Sequence, residues 1–137
     1  MSYAAAHKVI RGNLADWWEA NYPHVPLAWD NDDTLPPKTG FWCKAYLLSG
    51  DARLAGLGGE PSARLWRVVG VLVVQVFTPL QQGVADAEEL VTQLAKNFQG
   101  RTLNSVLFRE VRFNKIGEGD AFIQHNISTS YQFDYHG

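Results

Sequence analysis

The densest apolar run in the chain lies within residues 66–98, and its pattern changes halfway. From Val68 to Phe77 only Gly70 and Gln75 are not large apolar residues, and most of the others are valines. β-Branched side chains suit a pleated surface. A short apolar run bounded by breakers predicts a strand covered on both faces. Val69, Val71, Val73 and Phe77 fall on one face of that strand, and Val68, Leu72, Val74 and Val76 on the other. Pro79 lacks the N–H a ladder needs, and Gly83 permits an unusual backbone turn. The spacing then shifts. Val84, Ala87, Val91, Leu94 and Phe98 recur three and four apart, with Leu90 and Ala95 beside them, which predicts a helix. Asp86, Glu88 and Glu89 near its start and Lys96 near its end suit the macrodipole, and Gly100 supplies the stop.

The same reading extends to both sides. Tyr3, Ala6, Ile10, Leu14 and Trp17 share a face of an N-terminal helix over residues 3–22, with Ser2 as its N-cap. Residues 24–31 hold two prolines with Pro23 and predict an edge strand or extended lead-in. A turn at 31–33 and a loop stiffened by Pro36 and Pro37 follow. Phe41, Cys43, Ala45 and Leu47 form the apolar side of a strand over 41–48, with Trp42, Lys44, Tyr46 and Leu48 opposite. Residues 49–64 are Gly-rich and aperiodic, and predict a long loop, with a short helical turn around 52–57 as the alternative. Residues 103–113 read as a strand with imperfect alternation, and 114–120 as a turn.

The final segment alternates most cleanly. Ile123, His125, Ile127, Thr129, Tyr131, Phe133 and Tyr135 fall on one side, and Gln124, Asn126, Ser128, Ser130, Gln132 and Asp134 on the other. Run straight, residues 122–135 extend about 46 Å, so this strand must bend, bulge or project. The predicted order is α-β-β-β-α-β-β. That is an α+β fold in a single domain, 1–137: a largely antiparallel or mixed sheet of about five strands with two helices packed on it. Because residues 68–77 are apolar on both faces, either the helices divide between the faces or a second subunit covers one.

Composition narrows the function more by exclusion than by signal. The chain of 137 residues has room for a core without disulfides or metals. Its five tryptophans are generous, which points some of them to an interface. A net charge of −2 lacks the basic footprint of a dedicated nucleic-acid binder. The N-terminus carries no signal-peptide h-region, and no apolar run is long enough for a membrane span. The expectation is a soluble protein made in a cytoplasm. Cys43 is the sole cysteine and reads as a buried small hydrophobe. His7, His24, His125 and His136 show no metal-ligand spacing. Gly56-Leu57-Gly58-Gly59 lacks the Lys-Ser/Thr of a phosphate loop, and Asp30, Asp32 and Asp33 lack the ordered spacing of a calcium loop. No catalytic constellation, cofactor or metal is expected. A remote alternative is a small ligand-binding or enzymatic domain using Cys43 or His125.

Three stretches, in order, resemble the tail terminator proteins of long-tailed bacteriophages, especially the small prophage-borne members. They are Pro26-Leu-Ala-Trp-Asp-Asn31 after the first helix, Gly70–Phe77 with Pro79 and Gly83 before the second helix, and the closing Tyr131-Gln-Phe-Asp-Tyr135. The resemblance implies a non-enzymatic virion protein that forms a hexameric ring on the tail tube. It would end tube polymerisation and present a surface to the head-completion protein, with DNA passing through the lumen unbound. It would act in the host bacterial cytoplasm during assembly and then in the virion tail. The alternative within the same class is another head–tail joining or minor tail assembly protein. Trp42, Tyr46, Arg53, Arg64 and Trp66 are the candidate contacts to a neighbouring subunit or the tube, with the loops at 31–40 and 49–64 reaching outward. Trp42 and Trp66 are equally readable as core, and Arg53 and Arg64 as solvated charge.

Overall fold

The computed structural model describes residues 1–30, 40–80, 83–118 and 122–137. Helix α1 spans Tyr3–Asn21, and the Ser2 hydroxyl caps it by accepting from the Ala5 N–H at 3.1 Å. Its buried residues are Ala6, His7, Ile10, Leu14 and Trp18. Trp18, rather than Trp17, closes the stripe, because its Nε1 donates to the Val25 carbonyl at 2.8 Å as the chain turns back; Tyr3 is exposed. Helix α2 spans Ala85–Phe98 and buries Ala87, Leu90, Val91, Leu94, Ala95 and Phe98, the face read from spacing. Gly83 and Gly100 flank it with φ of 75° and 68°, where a side chain is disfavoured.

Six strands form one sheet: β1 (Leu27–Trp29), β2 (Trp42–Gly56), β3 (Leu65–Pro79), β4 (Thr102–Leu103), β5 (Val106–Glu118) and β6 (Phe122–His136). Their order is β1-β2-β3-β6-β5-β4, with β1 parallel to β2 and every other pair antiparallel. The fold is α+β, with one strand more than the expected five. The segment 103–113 divides at Asn104 and Ser105, whose φ of 45° and 71° make a two-residue hairpin turn between β4 and β5.

Two other expectations are corrected. The stretch 49–64 is a loop only from Leu57 to Arg64, with Pro61–Ala63 as a 3₁₀ turn; before that β2 continues to Gly56 and pairs with β3. The helical turn expected around 52–57 is therefore strand. Register shifts between Ser49 and Ala52 and between Leu54 and Gly56 break the alternation, which is why no period shows in the sequence. The turn expected at 114–120 is strand up to Glu118. The loop at 31–40, apart from Gly40, lies outside the described residues, as do Asp32 and Asp33 of the acidic corner. The last strand, β6, pairs with β3 without a register shift from Phe122 to His136. At a rise of roughly 3.3 Å the β3–β6 pair is about 50 Å long.

Both helices lie on the same face. The buried cluster joins Ile10, Leu14 and Trp18 of α1 and Leu90, Leu94 and Phe98 of α2 to Cys43, Ala45, Val68, Leu72, Val74, Val76, Ile127, Tyr131 and Phe133. Those strand residues share one side of the sheet by register. Of the two ways to cover β3, the helices thus take one face and leave the other open among the described residues.

Candidate assembly surface

Alternation assigns the open face residue by residue. Across it run Trp42, Phe77 and Gln124; Lys44, Gln75, Asn126 and Asn114; Tyr46, Val73, Ser128 and Arg112; and Leu48, Val71 and Ser130. Lys44 and Gln75 apart, the β2–β3 half is apolar, while the β6–β5 half is polar and carries Arg112. Trp42 stacks on Phe77 with ring centroids 4.5 Å apart and meets Phe122 edge-on at 6.2 Å. This aromatic patch lies at one end of the face. The Trp42 Nε1 is buried without a hydrogen-bond partner among the described residues. In mid-face a concavity of about 380 Å³ lies between Tyr46, Val71 and Val73 on one side and Arg112, Asn114 and Ser128 on the other.

Beyond Tyr46 the β2–β3 hairpin projects as an arm in which residues 48–55 of β2 are all exposed. Leu48, Leu54 and Val69 are more than two-fifths exposed, and Leu57 near the tip is 82% exposed. On the open face of the arm Arg53 lies opposite Arg67. Arg67 grips Asp134 with a fork of 2.9 and 3.1 Å, and this hydrogen bonding holds the Asp134 carboxyl below its usual range. Neither Arg53 nor Arg64 makes an ion pair among the described residues. Trp66 lies on the helix-side face beside Tyr135 in register and donates its Nε1 to the Gly137 carbonyl at 2.8 Å.

The five candidate contacts therefore do not gather at one site. Trp42 and Tyr46 belong to the open face. Arg53, Arg64 and Trp66 belong to the arm; along β3, at roughly 3.3 Å per residue, Trp66 is about 36 Å from Trp42 and Arg53 about 20 Å from Tyr46. Neither Trp42 nor Trp66 is part of the buried core cluster.

One polar cluster has no counterpart in the sequence reading. The Ser49 hydroxyl at the root of the arm lies 3.1 Å from the Tyr3 hydroxyl, 3.1 Å from that of Tyr131 and 3.2 Å from His7 Nε2. Tyr131 and His7 are 3.2 Å apart in turn. Burial, with the Arg11 charge second, lowers the His7 pKa, and burial raises that of Tyr131. No carboxylate among the described residues hydrogen-bonds His7, so the Ser–His contact lacks the orienting acid of a hydrolytic triad. The cluster ties α1 to the arm. Gly70 was its one visible signal: a Cβ there would sit 2.5 Å from the Leu48 carbonyl oxygen and collide with the Tyr131 hydroxyl.

Cys43 and His125 share the helix-side face but flank Val76 on opposite sides, two strands apart. Cys43 is fully buried, which drives its thiol pKa far up and keeps it unreactive. Among the described residues no three His, Cys, Asp or Glu side chains gather where a metal could be held, and no helix is long and apolar enough to cross a membrane.

Comparison with known proteins follows this geometry. A solved structure identified only by a sequence identifier superposes with a TM-score of 0.73 at 25% identity, covering 100% of this chain and 99% of its own. No curated protein sequence matches the chain. The family model described as "Phage tail terminator protein" matches residues 5–131, so the two helices, the arm and nearly all of the sheet fall within it and the chain belongs to the phage tail terminator family.

Proposed function

We propose that this chain, as one tail-terminator-like domain over residues 1–137, closes the end of a phage tail tube as a hexameric ring. There it stops tube polymerisation and offers the head-completion protein a joining surface. Its work is structural, and no bond is made or broken. It acts in the host bacterial cytoplasm during assembly and remains in the virion tail. The observation that carries this reading is the open sheet face, on which Trp42, Phe77, Tyr46, Val71 and Val73 stand without a covering helix. Apolar patches of this kind mark interaction surfaces. The arm, with Arg53, Arg64 and Trp66, reaches a neighbouring subunit or the tube. A net charge of −2 suits a lumen through which DNA passes without being held.

The test is deletion of the gene in its phage, with electron microscopy of the lysate. Termination requires overlong, headless tail structures that revert to normal length when the wild-type gene is supplied. Headless tails of normal length would assign the protein to head joining alone, and normal phage would end the proposal.

A further inference from the structure

The sheet has two long unpaired edges, and they match each other. On the β2 side, β1 pairs only with residues Cys43, Lys44 and Ala45, so Tyr46 to Gly56 have no outer neighbour among the described residues. On the other side, β4 pairs only with Val106 and Leu107, and Gly100 N–H bonds the Arg109 carbonyl; beyond that β5 has no outer neighbour among the described residues up to Glu118. The free segments, 46–56 and 110–118, run 11 and 9 residues. Long edges are a template for strand addition, and proteins usually shorten or cover them. Here both carry exposed large apolar side chains: Leu48 and Leu54 on β2, Phe113 and Ile116 on β5.

From these edges we infer that copies of this chain join by antiparallel pairing of the free β2 edge of one with the free β5 edge of the next, extending the sheet from subunit to subunit. Strand direction supports this. Direction alternates from β2 through β3 and β6 to β5, so β2 and β5 run oppositely within one sheet. The two free edges lie towards opposite ends of the sheet, so a neighbour carried round a rotation axis with its sheet in continuation must also slide by about eight residues along the strands, which brings Leu54 of its β2 level with Phe113 of β5 in the antiparallel sense. Phe113 pairs with Ile127 and Leu54 with Trp66, both on the helix-side face, so the contact sets them on a common surface within cross-strand or diagonal reach. Charge disfavours the symmetric β5–β5 alternative, in which antiparallel pairing centred between residues 113 and 114 would set Arg112 against Lys115, whereas the free β2 edge carries one charge of each sign, Asp51 and Arg53. The contact is heterologous and closes only as a ring. It deepens the ring reading above and rests on it for its role.

The test mixes two edge-blocked full-length chains. Phe113→Lys with Ile116→Lys blocks β5, and Leu48→Lys with Leu54→Lys blocks β2. All four side chains are already exposed, and circular dichroism checks each fold. Wild type is expected to form closed oligomers by sedimentation as its concentration rises to about 1 mM, where even an association with a millimolar dissociation constant is half formed. Each variant alone should be monomeric. An equimolar mixture should give a heterodimer and nothing larger, since one intact edge of each kind remains. Hydrogen exchange on the wild-type oligomer should slow at residues 46–56 and 110–118. Self-association by either variant alone, a monomeric wild type throughout, or protection confined to the open face would overturn the proposal. Because no tails are present, heterodimers formed alongside normal tail length in the deletion phage would refute termination and leave the edge contact standing.

Discussion

Replacing Gly70 with Ala tests how the arm is anchored. Gly70 lies in the most apolar stretch of β3, where a larger residue would ordinarily strengthen the strand. An added Cβ, however, would sit 2.5 Å from both the Leu48 carbonyl oxygen and Tyr131 Cζ, and would strike the Tyr131 hydroxyl. Ordinary carbon contacts begin near 3.5 Å, so the shortfall is about 1 Å. Tyr131 is fully buried and has no room to retreat, and Leu48 is backbone paired to β3. Overpacking of this kind costs about 1–3 kcal/mol. Displacing Tyr131 from His7 and Ser49 adds about 1 kcal/mol for each hydrogen bond lost. The expected total is about 3–5 kcal/mol, which for a chain of this length lowers Tm by roughly 10–17 °C. Urea unfolding followed by far-UV circular dichroism measures it. Gly12→Ala is the control: Gly12 lies within α1 with nothing within 4 Å of its Cβ, so that change should stabilise by up to about 1 kcal/mol. A Gly70→Ala chain within about 0.5 kcal/mol of wild type, inside the scatter of neutral surface changes, would refute the packing of Tyr131 across β3.

Two further outcomes follow from the helix-side core. Burial holds the folded-state pKa of His7 below its ordinary value of 6.5, with Arg11 adding to the shift and Tyr3, Ser49 and Tyr131 around the ring. The unfolded chain therefore binds the proton first: stability is full above pH 6.5, falls as pH drops from there towards the lowered folded pKa, and levels off below it. The difference in urea midpoint between wild type and His7→Gln should follow this course, and parallel pH curves would contradict it. Leu94 is buried beside a void of only about 10 Å³, shared with Leu72, Val74, Phe98 and Ile127; Leu94→Ala enlarges that space and should cost about 3–5 kcal/mol by the same unfolding assay, with a loss under about 1 kcal/mol contradicting the packing of α2.

The elements with one dominant period were legible in the sequence. The helical stripe Ala87, Leu90, Val91, Leu94 and Phe98, the Ser2 cap and the alternation of β6 all appear where spacing places them. The two valine faces of β3 are also real, but which of them the helices cover is a tertiary fact with no local signal. The arm escaped because its bulges reset the alternation and its side chains are exposed on both faces, so no face is selected by burial. The β4–β5 hairpin escaped because its turn is Asn-Ser rather than Asn-Gly. The Ser49 cluster escaped because its members lie 46, 42 and 82 residues from Ser49. Of the candidate contacts, Trp42 and Tyr46 were readable as a pair, since four residues along a strand keep to one face. Arg53, Arg64 and Trp66 were not readable as arm residues without the arm itself.

The cluster at Ser49 also bears on how the arm works. An arm exposed over residues 48–55 gains little from burial and, left free, would lose conformational entropy on meeting a partner. Three contacts fix it beforehand: the β2–β3 ladder, the Arg67–Asp134 fork that ties β3 to β6, and the Ser49 hydroxyl held by Tyr3, His7 and Tyr131 at its root. In the edge contact proposed above, holding β2 in its paired conformation beforehand reduces the ordering cost of association. The two sets of residues should then separate by experiment. Changes at Gly70 or Tyr131 lower stability and loosen the arm together, whereas changes at Leu48, Leu54, Phe113 or Ile116 leave the monomer's stability near wild type and act only when copies meet. On the second face of β3, Val73 is already buried and Phe77 already packs with Trp42 and Phe122, so it is the exposed apolar side chains along the two edges that should separate association from stability.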